Sequence, residues 1–323
     1  HLEAVLGSEA MVEDIIVEEL QAIKARYGDA RRTEIVVDTS DISIEDLIAE
    51  EEMVITVSRG GYIKRTALST YRSQRRGGRG RRGMETKEED VVARLFVAST
   101  HATMLFFITT GRVFARKVFE LPDVGPSGRG RALVNLLPVE PGEGIAALVA
   151  VRDFAAQEGA HLLFATRLGR VKRTRLEEYD NIRSTGIRAI AVVDGDDLLE
   201  VHLTQGPTDV FIGTHRGMCI RFREGDVRPM GRVSAGVRGI NLRSGDWVEE
   251  VATFDPNDAG DILGVTELGF GKRTPVAEFR LQQRGGFGIK VATLTDKTGA
   301  LAGIRHVHED DQVLLVSERG MMI

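Results

Sequence analysis

Along most of the chain, apolar and polar residues alternate in short runs that stop at a glycine and resume as a second short run. Six such pairs stand out: VITVSRGGYIKR (54–65), LFFITTGRVFAR (105–116), LLFATRLGRVKR (162–173), VFIGTHRGMCIR (210–221), ILGVTELGFGKR (262–273) and VLLVSERGMMI (313–323). A period of two bounded by Gly predicts β-hairpins. The turn glycines Gly61, Gly111, Gly169, Gly217, Gly269 and Gly320 recur at intervals of 50, 58, 48, 52 and 51 residues. Register inside the repeat is tighter still. Seven residues past the turn stand Leu68, Val118, Leu176 and Val276; ten past it stand Tyr71, Leu121, Tyr179 and Phe279. Seventeen past it stand Gly78, Gly128, Gly186 and Gly286, while the fourth repeat reaches Gly236 at nineteen. Repeats of this size with several strands each are blade-sized, so the expected fold is all-β, six propeller-like repeats in a ring. A β-sandwich with accidental spacing is the alternative. No Trp-Asp signature marks the repeats, and the sixth stops at Ile323, short of a closed blade.

The head of the chain follows a different period. Val12, Ile16, Leu20, Ile23 and Tyr27 recur at three- and four-residue spacing, which predicts a helix. Gly28 then stands where a left-handed cap residue would end it. Residues 35–52 read as a short β-prone run and an acidic connector, and the repeats begin at residue 53. Hydrophobic residues make up 42% of the chain, and no apolar run approaches the length of a membrane span. Neither does a signal peptide open it. Cys219 is the single cysteine, which points to a reducing cytoplasm rather than a disulfide framework.

Charge sharpens the division. The formal net charge is −5, yet residues 1–50 hold 13 acids against 4 bases, and residues 59–83 hold nine bases and no acid. Local fields decide what a surface attracts. Bases also recur at fixed places in the repeats: Lys64 and Arg65, Arg112 and Arg116, Lys172 and Arg173, Arg221 and Arg223, Lys272 and Arg273. Near the second glycine come Arg79, Arg129, Arg188, Arg238, and Arg284 with Lys290. Such a set predicts a positive belt around the perimeter, suited to a long polyanion held by its phosphates rather than its bases. With aromatic residues at 6%, single-strand stacking platforms are disfavoured.

The densest basic stretch, QRRGGRGRRG (74–83), carries a family likeness. Gln74, Arg75, Arg76, Gly77, Gly78, Arg79 and Gly80 resemble the gyrase-A box, the hallmark heptad of the C-terminal domain of bacterial DNA gyrase A subunits. EEMVITVSRGGYIKRTALSTYRSQRRGGRG resembles that family's first blade, and EELQAIKARYGDARRTEIV resembles the end of the coiled-coil helix before it. The resemblance implies a coiled-coil end over 1–34, an acidic linker over 35–52 and a six-bladed β-pinwheel over 53–323, its sixth blade incomplete. It also implies sequence-independent binding and positive wrapping of double-stranded DNA, presented to the gyrase A dimer core. Gyrase B would complete an A2B2 enzyme in the bacterial cytoplasm. Box residues would be needed for wrapping, with Arg72, Arg81 and Arg82 beside them. Residues 282–288 (QQRGGFG) nearly repeat the box, as decayed ancestry or as a second, weaker DNA contact. A topoisomerase IV-type domain is the near alternative, but its box is degenerate or absent. A β-propeller that binds an acidic protein is the distant one.

No catalytic set is expected. Arg26-Tyr27 imitates the cleaving dipeptide of type IIA topoisomerases, yet Tyr27 sits at a helix end with no acidic metal-binding cluster nearby. No Gly-Lys-Ser/Thr phosphate loop occurs, so ATP and Mg would be used elsewhere in the complete enzyme. His306 and His308 share a strand face, but two ligands fall short of a metal site, and none is expected.

Overall fold

A computed structural model describes residues 2–29, 45–58, 60–70, 92–125 and 128–313. The chain divides into two compact units, residues 1–47 and 48–323. In the first, helix α1 (Leu2–Leu6) leads into α2 (Glu9–Tyr27). Ser8 caps α2, its side chain accepting from the Met11 N–H. Gly28 ends the helix by donating its N–H to Lys24 O at 2.8 Å. Its φ is −72°, so the expected left-handed cap is not formed. Glycine is needed there for room instead, because a Cβ would collide with Lys24 O. No residue of α2 is buried among those described.

The second unit is all-β and propeller-like. Each blade starts with the predicted hairpin: Glu52–Ser58 with Tyr62–Ala67, Thr103–Ile108 with Arg112–Lys117, His161–Thr166 with Arg170–Arg175, Asp209–Thr214 with Met218–Arg223, and Asp261–Thr266 with Gly271–Pro275. A third strand returns antiparallel to the first: Val92–Ser99, Ile145–Val151, Leu198–Thr204, Val248–Phe254 and Leu301–Val307. A short fourth strand is borrowed from the next repeat: Arg131–Ala132, Ile187–Arg188, Val237–Arg238 and Ile289–Lys290 complete blades 1 to 4. The described residues thus form five blades, not the six expected. Residues 314–323 of the sixth repeat lie outside them, and blade 5 has three described strands. The blade unit also begins at Ile48 rather than at residue 53, because main-chain oxygens of Ile48 and Ala49 are held by His101 and Thr100 of blade 1.

The apolar runs are nearly continuous because both faces of each blade are covered. Along the first strand of blade 2, Met104, Phe106 and Ile108 face blade 1 (Met53, Ile55), while Leu105 and Phe107 face blade 3 (Leu162, Phe164, Tyr179). Phe107 and Phe164 meet edge-to-face at 5.5 Å. The core therefore lies between blades, and no blade could bury its own faces alone. Val118, Leu176 and Val276, seven past the turns, are buried at the starts of 3₁₀ turns, and Leu121, Tyr179 and Phe279 at ten are buried at or just past their ends.

The seventeen-residue mark needs correction. Before each fourth strand a glycine adopts positive φ: Gly130, Gly186, Gly236 and Gly288. A Cβ there would run into the main-chain oxygen of Ile63, Val113, Val171 or Cys219 in the preceding blade. Three of these stand nineteen residues past their turn glycines, and Gly186 at seventeen is the exception. Gly128 and Gly286 are their near neighbours, not their equivalents.

Third strands of blades 2 to 5 run side by side and form a seam, and a side chain from the third strand of blade 1 reaches it. At one register position stand Arg94, Ala147, Glu200, Glu250 and Gly303 in blades 1 to 5. Arg94 donates to Ala146 O at 2.8 Å, Glu200 accepts from the Val251 N–H at 2.9 Å, and Glu250 accepts from the Ile304 N–H at 2.6 Å. Each stitches its blade to the next. Burial pushes the Glu250 carboxyl up to about 7, against the pull of Arg305.

Candidate nucleic-acid interface

The bases expected to form one belt separate into two groups by strand position. Those on the second strands of blades 1, 3 and 4, three and four residues past the turn glycine, point into the joint between blades, whereas Lys272 and Arg273 at the same places in blade 5 are exposed. Lys64 is fully buried and donates to Gly125 O at 3.1 Å. Lys172 is fully buried too, with its ammonium 2.6 Å from both Ala189 O and Arg232 O. Arg65 donates to Leu121 O at 2.8 Å and pairs with Asp123 at 3.5 Å. Arg173, 17% exposed, lies 3.8 Å from the buried Glu224. Arg221 pairs with the buried Asp209 at 2.6 Å and donates to Val276 O and Phe279 O of the next repeat. Lys64, Arg65, Lys172, Arg173 and Arg221 are latches between blades, and their recurrence reflects the repeat's joinery.

Several others are partly committed. Arg112 lies over the Phe114 ring at 4.8 Å and near Glu140 and Glu143 at 3.8 and 3.7 Å. Arg116 donates to Leu136 O at 3.3 Å. Arg129 stacks over Tyr62 at 4.0 Å, bracing the second repeat on blade 1. Arg223 shares Asp209 at 2.8 Å, and Arg273 pairs with Asp261 at 2.9 Å. In the near-box, Arg284 donates to Asp226 O at 3.0 Å and Arg238 O at 3.1 Å, so its guanidinium braces neighbouring main chain. Phe287 of that loop is exposed.

The remaining bases stand on the fourth strands or on an open hairpin. Arg188, Arg238 and Lys290 share one register position, paired with Arg112, Arg170 and Met218, the residue after each turn glycine. All three are exposed, as is Lys272 on the second strand of blade 5, and none has a side-chain partner among the described residues. In sheet order the fourth strand lies farthest from the third-strand seam, so the exposed bases follow the edge of each blade away from that seam. Blade 1 carries Ala132 at this register, with exposed Arg131 beside it. Arg131, Arg183, Arg228 and Arg280 are exposed bases absent from the expected set. Arg228 and Arg280 stand eleven residues past their turn glycines, as Arg72 does, a recurrence that could have flagged them. Arg72, Gln74, Arg75, Arg76, Gly77, Gly78, Arg79, Gly80, Arg81 and Arg82 lie outside the described residues.

Lys172 offers a direct check on the division. Burial pulls its ammonium down to about 7. The neutral amine still has two N–H donors for its two carbonyls. Between pH 7 and the unfolded value of about 10.4, the unfolded chain holds the proton that the folded chain has shed. Stability therefore gains with rising pH across that window. Lys172→Met should lose this gain in thermal melts while leaving the salt dependence of DNA binding unchanged. A salt slope reduced by about one, the signature of a lost phosphate contact, would put Lys172 back in the interface.

A family profile described as DNA gyrase C-terminal domain, beta-propeller, matches residues 52–99, 160–205, 208–255 and 260–308, which fall on four of the five blades. The chain is 44% identical, over all of its 323 residues, to the DNA gyrase A protein of Staphylococcus epidermidis strain ATCC 12228 and covers 36% of that protein. It thus spans about a third of the length of the curated relatives it matches. Among solved structures, the C-terminal domain of a DNA topoisomerase IV aligns with TM-score 0.71 at 28% identity, over 85% of this chain and 84% of that one. A DNA gyrase A C-terminal domain aligns with TM-score 0.67 at 23% identity, over 84% and 88%, a likeness of fold.

Proposed function

Because the chain belongs to the DNA gyrase C-terminal domain family, we propose that it binds duplex DNA without reading sequence and bends it along the outer blade edges. The observation that carries this is the shared register of exposed Arg188, Arg238 and Lys290 on successive fourth strands. Charges repeated blade after blade on one edge meet phosphates repeated along one backbone. They contact phosphate oxygens, which carry no sequence information. Bending costs on the order of 1–6 kcal/mol per 20–30 base pairs, and several modest contacts spread over the edge can offset it.

The box residues Gln74, Arg75, Arg76, Gly77, Gly78, Arg79 and Gly80, with Arg72, Arg81 and Arg82, would contact the same DNA, as the family's hallmark heptad implies. Arg112, Arg116, Arg129, Lys272, Arg273 and Arg284 flank the edge surface; the buried bases are left out. Among the described residues the second strand of blade 5 has no fourth-strand partner, at the edge that each following repeat fills in blades 1 to 4. That supports a six-bladed pinwheel in the longer protein. There the domain presents the wrapped segment to the DNA-cleaving core of an A2B2 gyrase in the bacterial cytoplasm, with ATP and Mg used by other parts. Energy transfer between dyes on the two ends of a duplex of some tens of base pairs tests the proposal. The ends should approach when the chain is added, increasingly so as salt is lowered. Ends that stay apart while the chain still binds acidic protein would favour an interaction platform instead.

A further inference from the structure

We propose that Asp258, His306 and His308 form a site for a divalent transition-metal cation of the zinc class, with Asp311 orienting His308. Strand geometry brings these residues together. His306 lies in the third strand of blade 5 and His308 just past it, two residues on and so on the same face. The partner strand begins at Asp261, opposite Val307, so the 255–260 loop that enters it lies over this strand end. The loop is set by its own bonds, Asp258 N–H to Asp255 O at 3.0 Å and Asn257 N–H to Asp255 Oδ1 at 2.8 Å.

The ligand atoms already converge. Asp258 Oδ1 is 2.6 Å from His308 Nε2, Asp258 Oδ2 is 3.9 Å from His306 Nδ1, and one atom from each residue lies within 4.8 Å of the other two. Among the described residues no other group of three such side chains meets this test. Tetrahedral bonds of about 2.0–2.1 Å hold ligand atoms about 3.3 Å apart, inside the 4.8 Å within which the three ligand atoms already lie. His308 is 53% exposed, so it can make the small adjustment, and solvent can fill the open position.

The surroundings match what a metal-binding imidazole needs. Asp311 Oδ2 lies 3.5 Å from His308 ring Nδ1 and also accepts the main-chain N–H of His308 at 2.8 Å, leaving ring Nε2 to face Asp258. A carboxylate behind a ligating histidine fixes both tautomer and ring direction. Phe254 stacks on His306 at 4.5 Å and 17°, which fixes the second ring. Gly260 makes room for it, since a Cβ there would strike His306 Nε2. Two imidazoles with a carboxylate suit zinc and its neighbours, whereas calcium and magnesium prefer all-oxygen sets. Cys219 is no competitor, being buried with its thiol pushed up to about 12. A bound ion would clamp the loop between blades 4 and 5 to the third strand of blade 5.

The test is calorimetric titration of the chelator-stripped chain with Zn²⁺ alone. One ion per chain is expected. Asp258→Asn, His306→Gln and His308→Gln should each weaken binding by on the order of 100-fold, and Asp311→Asn by about 10-fold. Cobalt loaded in place of zinc should give visible bands of a four- or five-coordinate ion, lost in His308→Gln. His308 is half-exposed, so that variant should match the parent chain in metal-free melting, which separates lost ligation from lost fold. Absence of saturable binding at one equivalent, or three ligand variants that all bind as tightly as the parent chain, overturns the site.

Discussion

Replacing Arg75, Arg76 and Arg79 together with alanine is expected to weaken duplex binding on the order of 100-fold near 0.15 M salt. The same change should flatten the plot of log affinity against log salt by about 2.7. Both follow from counterion release: each neutralised phosphate contributes about 0.9 to that slope, or about 1 kcal/mol at this ionic strength. Removal of Arg188, Arg238 and Lys290 takes the same number of charges from fourth strands of described blades. It should lower the slope equally. The bend is where the two triple variants should part. Glycine makes up three of the seven box residues, which favours close approach of main chain to phosphate. End-to-end energy transfer should therefore fall further in the box variant than in the edge variant. Equal losses of bending would reduce the box to one part of a diffuse field.

How far these features were legible in the sequence depends on whether each one recurs. Turn glycines were readable because Gly61, Gly111, Gly169, Gly217 and Gly269 all need positive φ, and glycine fills each position. The joint glycines are harder to place, because Gly128 and Gly286 keep the seventeen-residue spacing while the positive-φ residues Gly130 and Gly288 lie two residues beyond them. Recurrence also misled: Lys64 and Lys172 repeat as faithfully as surface charges would, yet both are buried against carbonyls. A lysine in a β-run reads as solvent-facing, and only the packing of the next repeat reveals otherwise. The seam is hidden in the sequence for the opposite reason. One position held by Arg94, Ala147, Glu200, Glu250 and Gly303 repeats in space and not in residue type. Asp258 stands 48 residues before His306, a separation closed by the pairing of the first and third strands of blade 5 and not by any short motif.

Among the joints, Asp209 is expected to carry the largest single share of stability. Asp209→Asn should cost about 3–5 kcal/mol, the range for removing one partner of a buried ion pair. Its side chain is fully buried at the start of the first strand of blade 4, opposite Arg223 in register. Oδ2 accepts from Arg221 Nε at 2.7 Å, and Oδ1 from Arg223 Nη1 at 2.8 Å. Arg221 is 13% exposed and uses its remaining donors on Val276 O and Phe279 O of the next repeat. Without the carboxylate, its charge stays buried with only main-chain oxygens to meet it, and blade 5 loses its hold on blade 4. The measurement is the urea midpoint together with amide exchange at Gln282, whose N–H is bonded to Arg221 O at 2.8 Å. That amide should lose protection before those of blades 2 and 3. Arg221→Met added to Asp209→Asn should recover much of the loss, because removing the guanidinium as well leaves no stranded charge. As a contrast, Arg175→Ala breaks the pair with Glu177, whose side chains are 65% and 63% exposed, and should change stability by less than about 0.5 kcal/mol. If Asp209→Asn costs no more than Arg175→Ala, the blades are joined by their apolar faces alone, and the recurring second-strand bases need another explanation.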